Sequence, residues 1–194
     1  MAVRRILQIE NPDDKKVLKT RCHPIKTFSP ALKQLAADMF ETMHAANGVG
    51  LAAPQIGITQ RIAVIWIPPE VEEREDGTRI EVAPEESFVL INPQIVKAGA
   101  GEDVGQEGCL SMPGWYGDVP RHSWVTVEYQ DLDGKYRRIR KADDLLGRAL
   151  QHEIDHLDGV LFTERMRDLS TLKDLRTEPT NAAETAEQTE QAVS

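Results

Sequence analysis

Between Ser29 and Gly48, apolar residues fall at Leu32, Leu35, Ala36, Met39 and Met43. That i, i+3, i+4, i+7 spacing turns one face of a helix toward a core. Ser29 can cap this helix, Pro30 suits its first turn, and Asn47-Gly48 stops it. The period then changes. Arg61 to Ile67 reads as a buried strand and Phe88 to Asn92 as a second. Between them Pro69 to Glu86 is acidic and polar, with Asp76-Gly77 as a turn signal, and a surface excursion is expected. From His122 to Arg140, Trp124, Thr126 and Glu128 alternate with Val125, Val127 and Tyr129, and Asp133-Gly134 marks a hairpin turn. A second helix is expected from about Asp143 to Leu157, ended by Gly159, and a short third around Glu164 to Leu175. Strands bracketed by two main helices, without regular βαβ alternation or internal repeats, predict an α+β fold.

Composition narrows the class. The 194 residues suggest one domain, at roughly 100–200 residues per domain. The hydrophobic fraction of 40%, with 13 glycines, is that of a globular chain. The longest uncharged apolar run, Ile62 to Pro69, falls far below the ~18 residues that a membrane-spanning helix needs. Glu10 and Asp13 interrupt any secretory h-region, so the cytoplasm is the expected compartment. A net charge of -9 disfavours bulk attraction to nucleic acid. Thr177 to Ser194 contains four glutamates and no Lys, Arg or aromatic residue. It is expected to be a disordered acidic tail following a single catalytic domain over residues 1–176. Cys22 and Cys109 are too few for a disulfide framework, so each is expected to pack, bind metal or react.

The sharpest chemical signal is His152-Glu153-Ile154-Asp155-His156. Residues four apart stack on one helix face, so both imidazoles can meet one ion while Glu153 leans toward a metal-bound water. Leu146, Leu150, Ile154 and Leu157 give this helix an apolar stripe. Leu145, Ala149, His152 and His156 form the adjoining column, which puts the histidines at the edge of a core. A third ligand is needed. Phe162 stands where a metzincin has its third His, and Arg176 stands about twenty residues downstream, where other proteases place a Glu. Glu164 and Glu178 remain as protease-like alternatives, and His23, His44, His122 and Cys109 are the other donors. Cys109, in Gln106-Glu107-Gly108-Cys109-Leu110-Ser111, is the expected ligand, since a thiolate suits a soft divalent ion. A structural metal module, in which Glu153 does no chemistry, is the other reading.

A third cluster runs from Gly48 to Gly57 as Gly-Val-Gly-Leu-Ala-Ala-Pro-Gln-Ile-Gly. Three glycines allow close approach of the backbone, as in the wall of an apolar pocket, and Gln55 can donate a hydrogen bond to an oxyanion. Together with Glu107-Gly-Cys-Leu-Ser111 and Gln151-His-Glu-Ile-Asp-His156, in that order and spacing, this cluster resembles the peptide deformylase family over residues about 3–170.

The resemblance implies antiparallel β-sheets packed around a central helix that carries the paired histidines. It implies hydrolytic removal of the N-formyl group from newly synthesised polypeptides, releasing formate. Cys109, His152 and His156 would hold one divalent metal, usually Fe²⁺, with Zn²⁺, Ni²⁺ or Co²⁺ able to substitute. Glu153 would act as general base and then acid, and the Leu110 amide and Gln55 side chain would meet the oxyanion. Val49, Gly50, Leu145 and Ala149 would line the methionine pocket. Arg148, a charge beside that apolar face, is expected either to turn outward or to meet the peptide, while Trp115 and Tyr116 shape the cleft. Ribosome docking through a basic C-terminal helix is disfavoured by the mixed charge of residues 164–176 and the acidic tail.

Overall fold

A computed structural model describes residues 2–74 and 76–176, so the expected acidic tail lies outside the described residues. The chain opens with α1 (Pro12–Leu18), capped by Asn11, whose side-chain oxygen accepts from the amides of Asp13 and Asp14. The second helix, α2, runs from Pro30 to Ala45 as its periodicity predicts. Ser29 sits at its cap, but the carbonyl rather than the hydroxyl receives the first amides, those of Leu32 and Lys33.

After α2 come β1 (Gly50–Ala52), a 3-10 turn (Ala53–Ile56) and β2 (Ile62–Ile67). The expected surface excursion is there, folded into an exposed hairpin of β3 (Glu70–Glu73) and β4 (Arg79–Ala83). The second expected strand is longer than its apolar run, since β5 spans Glu86–Ala98. The long strands β6 (Glu102–Cys109) and β7 (Met112–His122) fall where the pattern predicts none. His122 therefore ends β7, and the expected hairpin is β8 (Val125–Gln130) with β9 (Tyr136–Ala142), an edge strand exposing Arg137, Arg138, Arg140 and Lys141. The last long element is α3 (Asp144–Leu157), with Gly159 just beyond it at φ +74. A Cβ at Gly159 would fall 2.6 Å from the Lys19 carbonyl oxygen, so glycine is required there for both dihedral and space.

The expected third helix does not form. Residues 162–176 make two 3-10 turns (Phe162–Glu164 and Leu169–Thr171) and a two-residue strand, β10 (Lys173–Asp174). This segment lies along β7 instead: Met166 and Leu172 occupy the space above Gly117, and the Thr171 hydroxyl accepts from the Asp118 amide. An isolated helix of such length is marginal, and packing against a strand supersedes it.

Among the described residues the strands pair antiparallel, in a five-stranded sheet ordered β1-β2-β5-β8-β9 and a three-stranded sheet ordered β10-β7-β6. Alternation along β2 explains its unbroken apolar run. Ile62 and Val64 join the core formed by Leu32, Ala36, Met39 and Met43 of α2. Ile65 joins Leu90, Val125 and Val127 under Ala149, Leu150 and Ile154 of α3. The two helices thus cover opposite faces of the sheet, and neither side of β2 needs polar residues. On its other side α3 meets β7, so the helix is held between the two sheets and the α+β expectation stands.

Candidate metal centre

Cys109 is the last residue of β6, and Leu110-Ser111 turn the chain into β7. This places the thiol over the face of α3 that carries His152 and His156. Cys109 Sγ lies 3.2 Å from His156 Nε2, which lies 3.2 Å from His152 Nε2, and the three ligand atoms all fall within 4.8 Å. Two nitrogens bound at about 2.0–2.1 Å in tetrahedral geometry stand roughly 3.3 Å apart, so the donors fit a small divalent ion. The donor set itself, one thiolate and two imidazoles, suits such an ion.

The proton chemistry agrees. Burial works against a Cys109 thiolate, yet the His156 and His152 imidazoles outweigh it and bring the thiol down to about 5. Burial likewise opposes a charged His152, and the Cys109 and Glu107 groups beside it outweigh that and raise its pKa. Both shifts express one demand, a thiolate that needs positive charge at this point, which a metal cation satisfies in place of protons.

Glu107 holds the first histidine. Its Oε2 accepts from His152 Nδ1 at 2.9 Å, which turns Nε2 toward the other two donors. Arg121 grips the same carboxylate at 2.8 and 2.9 Å, and Arg148 reaches it at 3.0 Å. Burial favours a protonated Glu107, but the Arg121 and His152 bonds override it and keep its pKa at about 2. Arg121 also donates to Asp155 at 2.6 Å, and Asp155 receives Arg165 through both oxygens. A chain of ion pairs thus ties β6, β7 and α3 together behind the metal ligands. The sequence offered a partial signal, since Glu107 and Asp155 lie inside the motifs, but the pairing with Arg121 depends on strand register.

Glu153, one step round the helix, is buried, and its Oε2 has no hydrogen-bond partner. Desolvation raises its pKa to about 7 against the pull of the two histidines. A Cβ at Gly50 would fall 2.2 Å from Glu153 Oε1, so the glycine of the Gly-Val-Gly run leaves room for this carboxylate. Gln55 is oriented by the Ala52 amide, which donates to its Oε1 at 2.8 Å, and its Nε2 faces Cys109 Sγ at 3.5 Å and Ser111 Oγ at 3.4 Å.

A cleft of about 560 Å³ opens over these groups, and Val49, Gly50, Gln55, Leu110, Leu145 and Ala149 all line it with Cys109, His152 and Glu153. Every residue expected from the sequence to line or serve the site is therefore brought together, His156 lying beneath the cleft. Among the described residues, Glu164, His122 and His44 lie elsewhere. Glu164 accepts from the Leu161 amide and pairs with Lys19, and Glu178 lies outside the described residues. His122 Nδ1 is 3.0 Å from the Gly99 carbonyl oxygen, and His44 packs edge-on against Trp66. Arg148 does not turn outward: it spans Glu107, the Val119 carbonyl at 3.0 Å and Asp103 at 2.9 Å, and it lines the cleft. Space for its guanidinium exists because residue 105 is glycine.

The family model described as polypeptide deformylase matches residues 3–171. A peptide deformylase of Roseiflexus sp. (strain RS-1) is 76% identical over 174 residues, covering 90% of this chain and 94% of the relative. The crystal structure of a peptide deformylase from Legionella pneumophila superimposes with TM-score 0.71 at 41% identity, covering 88% of this chain and 89% of that one. A class I type b peptide deformylase from Acinetobacter baumannii, solved with Met-Ala-Ser bound, gives TM-score 0.70 at 32% identity over 85% of this chain and 99% of that one.

Proposed function

We propose, because this chain belongs to the peptide deformylase family, a family of metal-dependent hydrolases that remove the N-formyl group from nascent peptides, that Glu153 carries the proton in that reaction. The observation that supports this role is a buried carboxylate with one oxygen unpartnered, placed beside three converging metal donors. A divalent ion held by Cys109, His152 and His156 would supply Lewis acidity to the formyl oxygen and to a water. Fe²⁺ is the expected ion, and Zn²⁺, Ni²⁺ and Co²⁺ suit the same donors.

Glu153 takes the proton from the attacking water, in keeping with a pKa raised to about 7. Gln55, its amide fixed by Ala52, turns its Nε2 toward the oxygen that becomes negative, and the Leu110 amide supplies the second donor. Glu153 then returns the proton to the leaving amine, and formate and a free α-amino group separate. Val49, Gly50, Leu145 and Ala149 form the wall for the methionine side chain. Met-Ala-Ser in the Acinetobacter relative carries at its N-terminus the residue such a wall would hold. A substrate of newly made chains fits work in the cytoplasm.

The test is formate release by anaerobically purified, Fe²⁺-loaded protein from a formyl-Met peptide, with acetyl-Met and internal-peptide substrates as controls. Formate with both controls silent is expected. Cleavage of the internal peptide instead would replace deformylation with proteolysis.

A further inference from the structure

The cleft has a wall that neither the metal ligands nor the methionine pocket accounts for, formed by Pro113, Gly114, Trp115 and Tyr116 at the start of β7. Behind it runs the segment that follows α3. Asp174 and Lys173 of β10 pair with Trp115 and Tyr116, and the Leu175 amide donates to the Gly114 carbonyl at 2.9 Å. Arg176 then lays its guanidinium 5.6 Å over the centre of the Trp115 ring. The guanidinium is itself fixed, by Asp174 at 2.8 Å and by Glu10 at 3.6 Å.

Gly114 is shaped for this approach. Its φ is +80, and a Cβ there would fall 2.3 Å from Arg176 Cγ. The family model ends at residue 171, so β10 and Arg176 lie beyond the part of the chain that the family model matches. A stretch of chain outside that match therefore reaches back to brace a side chain of the cleft.

We infer that Arg176 is a positioning residue for the substrate chain beyond its first methionine, holding Trp115 as the surface on which the second and third residues pack. This rests on the deformylase reading of the cleft. With the formyl group at the Cys109–Glu153 end and the methionine against Val49 and Leu145, a peptide that continues past Leu110 meets the wall of Pro113 to Tyr116, the aromatic one among those that line the cleft. That wall is aromatic and apolar, so apolar residues after the methionine are the ones it favours. Arg176 acts on them through Trp115 and touches neither the ion nor the formyl group.

The experiment compares formyl-Met-Leu-Phe with formyl-Met amide, which lacks the downstream residues, on metal-loaded full-length wild type, Arg176→Ala and Arg176→Lys. Loss of one cation–aromatic contact predicts KM for the tripeptide up by about two- to fivefold in Arg176→Ala, with kcat and the formyl-Met amide constants moved less than that. Arg176→Lys keeps a cation over the ring and recovers most of the loss. Metal content stays at the wild-type value in both variants. An unchanged tripeptide KM in Arg176→Ala, or an equal loss on both substrates, overturns the inference while leaving the deformylase reading intact. Wild type silent on both substrates overturns that reading and this inference with it.

Discussion

Helices α2 and α3 pack on opposite faces of the same sheet, yet they bury different chemistry. α2 sends Leu32, Ala36, Met39 and Met43 inward, and its buried polar pair is closed: Asp38 receives Arg4, Gln34 and the Ala2 amide, and Thr42 bonds the Asp38 carbonyl. Its one unpartnered buried atom, Glu41 Oε2, belongs to a half-buried residue. α3 buries Gln151, Glu153, Asp155 and His156 among its apolar residues. Gln151 and Asp155 are fully engaged, whereas Glu153 Oε2 and His156 Nδ1 are not. Buried polar atoms without partners are costly and scarce in folded proteins. On α3 one such atom belongs to a candidate metal donor, His156, and the other to Glu153 beside the donors, whereas the buried polar pair of α2 is closed.

The contrast can be tested at four strengths. Glu153→Gln removes the proton carrier but keeps the shape, so kcat for formate release should fall about 10²- to 10⁴-fold. Metal analysis should show undiminished loading, and a variant within threefold of wild type would remove α3's distinction. Arg121→Ala takes from buried Glu107 its bidentate partner and from Asp155 one of its two cations, leaving Arg148 and Arg165. Denaturant unfolding of the metal-free protein should show a loss of up to about 3–5 kcal/mol, because buried charge is left under-compensated. Met39→Ala empties a fully buried site under α2 and should cost about 2–5 kcal/mol, with kcat/KM per folded molecule unchanged. A matching fall in kcat/KM would mean that α2 is more than packing. Asp133→Ala breaks an ion pair with Lys33 of α2 whose side chains are 60% and 58% exposed, so thermal melts should register no more than about 1 kcal/mol.

What the sequence disclosed follows the same division. Both long helices, β2 and the β8–β9 hairpin are legible because their cores are apolar and periodic. The β6–β7 hairpin is not, since Gly105, Gly108, Pro113, Gly114, Gly117 and Pro120 interrupt it and few of its side chains are apolar. Its strands are specified by each other and by α3 rather than by local preference. Cys109, His152, Glu153 and His156 could be placed because spacing along a helix and donor chemistry are local properties. Glu107, Arg121 and Arg148 could not, because their meeting depends on the register of two strands that the pattern conceals. Turns and β10 stand in place of the helix expected around Glu164 to Leu175, because the packing of Met166 over Gly117 is a long-range fact.

The edge strand β9 carries one more consequence. Its free edge is a row of open backbone donors and acceptors, a template on which a second chain could add its own strand. Arg137, Arg138, Arg140 and Lys141 stand exposed along it, and the register shift near Val125 bends its end out of line. Two copies brought edge to edge would set these cations against each other before any backbone bond formed. Arginine and lysine in β9 thus defend the molecule against aggregation at this sheet edge.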